Sequence, residues 1–479
     1  MMKTIDSSAV RSRLETLLPP LLETLIADFA LPGVAVAVVA NGALVYAQGF
    51  GVRNLTTREP VLPQTLFHLA SVSKPFVATA IMQLVEQGKV DLAAPVVQYL
   101  PYFRVNDPRS DAISVQQLLT HTAGLGSPAD YRWFDPEEDD QALERFVRSL
   151  ADIKPAELPE GECSYSNTGF EVLGDVVAKV SGQSFEDYVQ QHILAPLAMP
   201  TSTFLRSAVA PELATSPHVG APLRVIPGAY PYTRAHAPSS TLHSSVAELA
   251  NWMLANLAHG QLGATVVLPA EAHARMWQPR AATGDEGWGE HVGFSWFLGK
   301  YRDQRVIHHS GGDPGFESNL VLLPELNAGV VVLTNANTTP MGYITDTIID
   351  ILLGDEPQPT PLAPIVVPVA ATLVAAGVDA ASAQYQTLAE LGRYDTKAWR
   401  FANAVWGAIE LHHTAEVMAL VKLWVVLQPD ASEVHEMLGW AYVVQEDYAR
   451  AAEPLRRALV LDPDNENAAD LLEQIGADR

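Results

Sequence analysis

Ser71 and Lys74 stand three residues apart in the stretch Leu66-Phe-His-Leu-Ala-Ser71-Val-Ser-Lys74-Pro75. Positions i and i+3 share one face of a helix, so the lysine amine can reach the serine hydroxyl. A lysine beside a serine is one way to make the hydroxyl a nucleophile without a histidine. The start of a helix is also its positive end, which favours negative charge on the Ser71 oxygen. Taken alone the pair has a plainer reading, with Ser71 as a helix N-cap and Lys74 as a solvated charge.

Further segments carry chemistry-bearing residues. In Tyr165-Ser166-Asn167, residues two apart point the same way if the chain is extended, so Tyr165 and Asn167 can both face one pocket. A free phenol, with a pKa near 10, is a poor base. An adjacent lysine cation would favour the phenolate. The alternatives are a buried tyrosine with one hydrogen bond and an asparagine N-cap. His309-Ser310-Gly311-Gly312 falls on a predicted strand and runs into Asp313-Pro-Gly315-Phe316. Glycines there let backbone approach a substrate closely. His121, in Leu118-Leu-Thr-His121-Thr-Ala-Gly124, reads as a structural residue at a helix end. Tyr131, Trp133, Phe134 and Trp296 are candidates for a pocket wall.

These residues need elements to hold them. Phe76, Val77, Ala80, Ile81, Leu84 and Val85 recur at helical spacing after Lys74, and Gly88 supplies a stop. Pro75 is tolerated because the first turn has no amide partner to lose. Residues 10–29 form an apolar-periodic helix that Pro19 and Pro20 bend or split. Two strands, 33–39 and 43–48, flank Asn41-Gly42, a strong hairpin signal. Residues 91–262 are rich in helix and loop: a short helix at 114–121 has a serine N-cap, and 169–180 is an amphipathic helix with one apolar stripe. Strands return at 294–297, 306–309, 318–323 and 329–333, and a helix comes next at 341–353. The fold class predicted is therefore α+β: one antiparallel sheet built from both ends of the segment, flanked by helices, with an inserted helical subdomain.

A proline-rich stretch separates this domain (residues 1–355) from the rest of the chain. Residues 356–368 read as a linker and 369–479 as an all-α domain. Leu438-Gly439, Tyr442, Ala451, Ala458 and Leu461-Asp462-Pro463 have spacings that resemble a tetratricopeptide repeat. A single repeat cannot bury its apolar face alone, so the tail is expected to pack on its neighbours, on the main domain, on a second copy or on a protein partner. The uncharged run 361–378 approaches membrane-spanning length. It reads as a linker running into a buried helix.

The composition sets limits. The chain has 479 residues, 48% of them apolar, and so can build a large core. A net charge of −25 argues against nucleic acid or an anionic membrane surface as partner. Cys163, the one cysteine, excludes an intramolecular disulfide and a cysteine metal cluster. The N-terminus lacks an apolar core and a small-residue cleavage site, so cytoplasmic residence is the expectation, with export left open if a leader has been removed.

In this order, Leu69-Ala-Ser71-Val-Ser-Lys74, Leu119-Thr-His-Thr-Ala-Gly-Leu125, Tyr165-Ser-Asn-Thr-Gly169, Pro196-Leu-Ala-Met199 and His309-Ser-Gly-Gly312 resemble the serine β-lactamase/penicillin-binding-protein superfamily. Within it they are most similar to the class C β-lactamase-related serine hydrolases. The resemblance covers about residues 31–353. It implies that Ser71 is acylated, that Lys74 and Tyr165 are the general-base pair, and that Asn167 orients the substrate or Lys74. It places His309, Ser310 and Gly311 on the strand beside the nucleophile, and makes the oxyanion hole from the amides of Ser71 and Gly312. It implies a small ester, amide or peptide substrate and neither metal nor organic cofactor. The family's β-lactamases usually carry Lys-Thr-Gly where this chain has His309-Ser310-Gly311. A largely neutral histidine weakens a carboxylate anchor, so the expectation is an esterase or a D-amino-acid peptidase or amidase, ahead of a β-lactamase or DD-peptidase. A non-catalytic binding protein, or an interaction protein acting through its tail, is the alternative from another class.

Overall fold

The computed structural model describes residues 5–128, 130–156, 162–228, 230–397, 399–409 and 414–476. They divide into two compact units. One comprises the chain up to Thr24, Pro32–Pro217 and Pro227–Pro359; the other comprises Leu25–Leu31, His218–Ile226 and the chain from Thr360 on.

The first unit is built on an eight-stranded antiparallel sheet. Its strands are β1 (Gly33–Ala40), β2 (Ala43–Gly51), β3 (Ala281–Ala282), β4 (His291–Val292), β5 (Phe297–Tyr301), β6 (Gln304–Asp313), β7 (Phe316–Leu323) and β8 (Ala328–Thr334), in the order β2-β1-β8-β7-β6-β5-β4-β3. The N-terminal hairpin closes on the C-terminal meander because β1 pairs with β8, Val34 opposite Thr334. This is the sheet expected from both ends of the segment. Asn41 (φ 51°) and Gly42 (φ 78°) both turn left-handed, as the tight hairpin requires. The strand expected at 294–297 begins only at Phe297. Ser295 has a left-handed φ of 71°, which breaks extended pairing, and Phe294 and Trp296 are buried core residues. Trp296 is therefore not pocket wall.

Helices cover both faces. Helix α1 (Ser7–Asp28) runs through Pro19 and Pro20 without splitting. Helix α2 (Lys74–Glu86) ends just before Gly88 (φ 68°). Helix α3 (Thr168–Ser181), expected to be half-exposed, is buried continuously from Thr168 to Val177 and so runs through the middle of the helical subdomain. Helix α4 (Val246–Leu257) lies on one face of the sheet, with Met253 over Gly329; helix α5 (Met341–Leu353) lies on the other, with Thr345 bonded to Asn319 at 3.0 Å. The core between sheet and subdomain includes Phe76 stacked on Trp252 at 3.9 Å.

The second unit is helical: α6 (Val366–Glu390), α7 (Trp399–Ile409), α8 (Thr414–Leu427), α9 (Ser432–Val444), α10 (Tyr448–Leu461) and α11 (Glu466–Gln474), with one two-residue parallel pairing, Ala363–Pro364 with Tyr394–Asp395. Gly439 lets α9 and α10 close up, since a Cβ there would meet Leu455 Cγ at 2.4 Å. Glu416 joins the segment His218–Ile226 to α8, accepting from the Ala221 amide at 2.8 Å and pairing with Arg224. Helix α6 begins inside the stretch read as linker, and Pro368 fits its first turn. It is not the buried helix expected. By length and composition it is apolar enough to cross a membrane, yet only 28% of that apolar window is buried. The buried residues are Val366, Val369, Ala370, Leu373 and Ala381, and Gly377 (φ 83°) kinks the helix between the last two.

Candidate active site

The nucleophile turn is tighter than the helix start that the spacing suggested. Ala70 takes a left-handed φ of 46°, and Ala70–Ser73 form a 3₁₀ turn before α2. With three residues per turn, positions i and i+3 eclipse. Lys74 therefore stands over Ser71, its Nζ 2.8 Å from Ser71 Oγ. A second bond, 2.9 Å to the Ser239 carbonyl, fixes the amine. The turn is tied to its neighbours: Leu69 donates to Leu242 O at 2.8 Å, Ser73 Oγ accepts from the Leu242 amide at 3.0 Å, and Ser318 Oγ on β7 donates to Leu69 O at 2.6 Å.

Lys74 has no exposed surface. Burial lowers its pKa from 10.5 to about 7; Glu171 and then Asp313 oppose that shift. Tyr165 joins from the other side. Its hydroxyl is hydrogen-bonded with Ser71, and Lys74 Nζ lies 4.9 Å from its ring centroid. The residue keeps 37% of its surface open to the cleft, but its buried surroundings raise the phenol's pKa, against the pull of the Ser71 bond. The neutral phenol is thus the resting form. Desolvation, joined by the fields of Tyr131, Asp313 and Glu171, sets the phenol, so the phenolate expected beside a lysine cation is not the resting form.

Two neutral histidines flank Tyr165. His121 stacks on its ring at 4.5 Å and accepts from the Ser166 amide through Nδ1 at 3.0 Å; burial, with Lys74 next, lowers its pKa to about 3. It is structural, as expected, and it also positions the tyrosine. His309 is buried, with its pKa held well below the ordinary histidine range by burial and by Lys74. Its Nδ1 is 2.6 Å from the Ser310 carbonyl, which can only accept, so Nδ1 carries the proton; Nε2 has no partner among the described residues.

Strand register sets the edge beside Ser71. Asp313 and Phe316 close one two-residue turn and Gln304 and Tyr301 another. Pairs alternate between bonded and non-bonded from each closing pair. His309, Gly311 and Asp313 therefore bond β7, while His308, Ser310 and Gly312 turn their amides the other way. Strand β5 stops at Phe297, opposite His308. The Gly312 amide thus faces an open edge. A Cβ on Gly311 would meet Ser71 N at 2.8 Å, so Gly311 is the glycine the close approach requires. The Ser71 amide, in the first turn, has no intrahelical acceptor. Ser310 is exposed, and its side chain points to the face opposite Gly311.

Asn167 does not cap α3 through its side chain; Ser166 Oγ accepts the Gly169 amide at 2.9 Å instead. Asn167 donates to the Tyr131 hydroxyl, not to Lys74, and its Oδ1 is left without a partner among the described residues. Tyr131 does reach the site from its loop and stacks on Trp133 at 5.0 Å, whereas Phe134 is 47% exposed. Sequence reasoning missed Glu171, His236, Ser239, His68 and Asp313. Glu171 is fully buried on α3, 3.2 Å from His236 Nδ1 and 3.2 Å from the Ser239 amide. A carboxylate beside Phe170 in a helix of apolar and small residues was the available signal. His68 Nε2 is 2.7 Å from Asp313 Oδ2.

The Beta-lactamase family profile matches residues 20–354. Protein flp of Staphylococcus aureus (strain MW2) is 26% identical over 318 residues, 64% of this chain; the chain spans only 60% of that relative. Penicillin-binding protein 4 of Amycolatopsis lactamdurans is 29% identical over 366 residues, covering 70% of this chain and 92% of the relative. Among solved structures, the octameric penicillin-binding protein homologue from Pyrococcus abyssi superposes with a TM-score of 0.63 at 28% identity, over 73% of this chain and 78% of that one. The D-amino acid amidase of Ochrobactrum anthropi SV3 has a TM-score of 0.61 at 19% identity, over 71% of this chain and 99% of the other, and shares the fold.

Proposed function

The chain belongs to the beta-lactamase family, and on that premise we propose that it is a serine hydrolase that cleaves an ester or amide bond of a small substrate through an acyl-enzyme on Ser71. One observation carries the reading: an amine with a pKa of about 7 sits 2.8 Å from a serine hydroxyl. Near neutral pH about half of such an amine is free base, able to take the Ser71 proton as Oγ attacks the carbonyl. The developing oxyanion lies between the amides of Ser71 and Gly312, donors worth about 3 kcal/mol each in the transition state. The neutral phenol of Tyr165 is the acid that protonates the leaving group. It takes the Lys74 proton in exchange and later helps activate water. Asn167 and Tyr131 together form a polar wall for the acyl group. Oγ adds to the carbonyl, the adduct collapses with loss of the protonated leaving group, and water then adds and releases the acid from Ser71; the protons move among Ser71, Lys74 and Tyr165.

The neutral His309 removes the fixed cation that would hold a substrate carboxylate, which ranks esters, aminoacyl amides and peptides ahead of β-lactams. The test is a fluorophosphonate or penicillin probe followed by intact-mass measurement. An adduct on Ser71, absent from Ser71→Ala, is expected. Folded protein without an adduct would return the chain to the class of binding proteins.

Self-association belongs to the same reading. The Pyrococcus homologue is octameric, and the helical unit here exposes Val374 (71%) and Val460 (71%). Size-exclusion with light scattering should find an oligomer that Val374→Glu with Val460→Glu weakens. A monomer at all concentrations would end that part.

A further inference from the structure

Asp313 is the last residue of β6, one step beyond Gly312 and on the same face as Gly311, hence on the Ser71 side of the sheet. Its mount is rigid. Asn337 Nδ2 donates to Asp313 O at 3.0 Å and to Phe316 O at 3.1 Å, and Asn337 Oδ1 accepts the Gly315 amide. Pro314 and Gly315 (φ 78°) supply the turn. The carboxylate is held by one oxygen only. Oδ2 takes both His68 Nε2, at 2.7 Å, and Ser240 Oγ. No hydrogen bond among the described residues reaches Oδ1, and the side chain keeps 13% of its surface open. Among the described residues no arginine or lysine pairs with it. Its partner Ser240 adjoins Ser239, whose carbonyl holds the Lys74 amine at 2.9 Å, and its partner His68 stands three residues before Ser71, so Asp313 lies beside the same cleft.

We infer that Asp313 selects the charge of the substrate: its open oxygen receives a protonated amine carried close to the scissile carbonyl, so the preferred substrates are amino-bearing esters and amides, aminoacyl compounds above all. The inference rests on the acyl-enzyme reading and narrows it. A fixed, half-satisfied carboxylate binds an ammonium group by a charge-assisted hydrogen bond. Partly desolvated and hydrogen-bonded through one oxygen only, it is also costly to leave alone, and a ligand cation at the open oxygen reduces that cost. A substrate carboxylate at the same place would meet the like charge of Asp313, with a neutral His309 on the same strand where a lysine would have held it. The cleft thus has the charge opposite to one built for carboxylate-bearing substrates.

The test uses matched pairs: D- and L-alanine p-nitroanilide and their N-acetyl counterparts, on the full chain, with Ser71→Ala as the blank. The readout is the ratio of kcat/KM, free amine over N-acetyl, which cancels the active fraction of each preparation. The wild type should favour the free amine, and Asp313→Asn should shrink that ratio by about 10- to 100-fold. Asparagine still accepts from His68 and Ser240, so a merely structural role would leave the ratio where it was. Asp313→Lys should move the preference to an N-succinyl substrate. A wild type that prefers the N-acetyl compound, or a ratio that Asp313→Asn does not alter, overturns the inference while leaving the hydrolase reading intact. No turnover of any compound and no adduct on Ser71 overturns the hydrolase reading and this inference with it.

Discussion

The protonation state of Lys74 should set the pH dependence of the first chemical step. An ordinary lysine, with a pKa of 10.5, would be free base in only about 0.03% of molecules at pH 7; at about 7 the share is half, a gain of about 10³-fold in competent enzyme. The cause is the loss of water around an amine with no exposed surface, opposed by Glu171 and Asp313. Acylation of Ser71 by a p-nitrophenyl ester, followed from pH 5 to 10 as kcat/KM, should therefore rise tenfold per unit up to about pH 7 and then level. Replacing Glu171 by Gln removes the larger of the two opposing charges, so the limb should move to lower pH, by about one unit. Lys74→Arg cannot supply a free base and should lose at least about 10³-fold. A limb near pH 10, a limb that Glu171→Gln moves upward, or an arginine variant with a tenth of the activity would refute the reasoning.

Linkage gives Lys74 a further signature. Its folded pKa lies below the unfolded value, so the unfolded chain binds the extra proton between about pH 7 and 10.5 and stability rises with pH through that window. Below it the buried charge is a full liability, and Lys74→Met should abolish activity while matching or raising the melting temperature at pH 6. Glu317 behaves oppositely: burial raises its carboxyl from 4.5 to about 8, so its contribution is whole below pH 4.5 and is lost as pH climbs through 8. Glu317→Gln should melt above the wild type at pH 9, by calorimetry, and near it at pH 5. Tyr165→Phe should lower kcat by about 10²- to 10⁴-fold as a lost acid and base, with the Ser71 adduct still forming slowly by mass. Gly311→Ala drives a methyl group to 2.4 Å from Leu69 O and 2.8 Å from Ser71 N, whereas a Cβ on Gly312 meets nothing within 4 Å. The first variant should lose far more activity than the second in the same ester assay, at a stability cost of about 1–3 kcal/mol.

Sequence alone carried the local part. Ser71 and Lys74 are three residues apart, and any tight helical turn aligns them. Asn41-Gly42 dictates its own hairpin, and Ser114 caps its helix with a box closed by Gln117. Those are short-range constraints, written in neighbouring residues. Tertiary structure decided what depends on distant ones. Burial turned Tyr165 into a phenol where a neighbouring cation had suggested phenolate, and it set Lys74 near 7; neither can be had from spacing, because desolvation is summed over everything packed around the group. It also brought Glu171, His68 and Asp313 to the cleft from segments up to 245 positions apart, as with His68 and Asp313. Trp296 and α6 were misread for the same reason: an aromatic next to strand residues, or an apolar run, does not say which side the fold will cover.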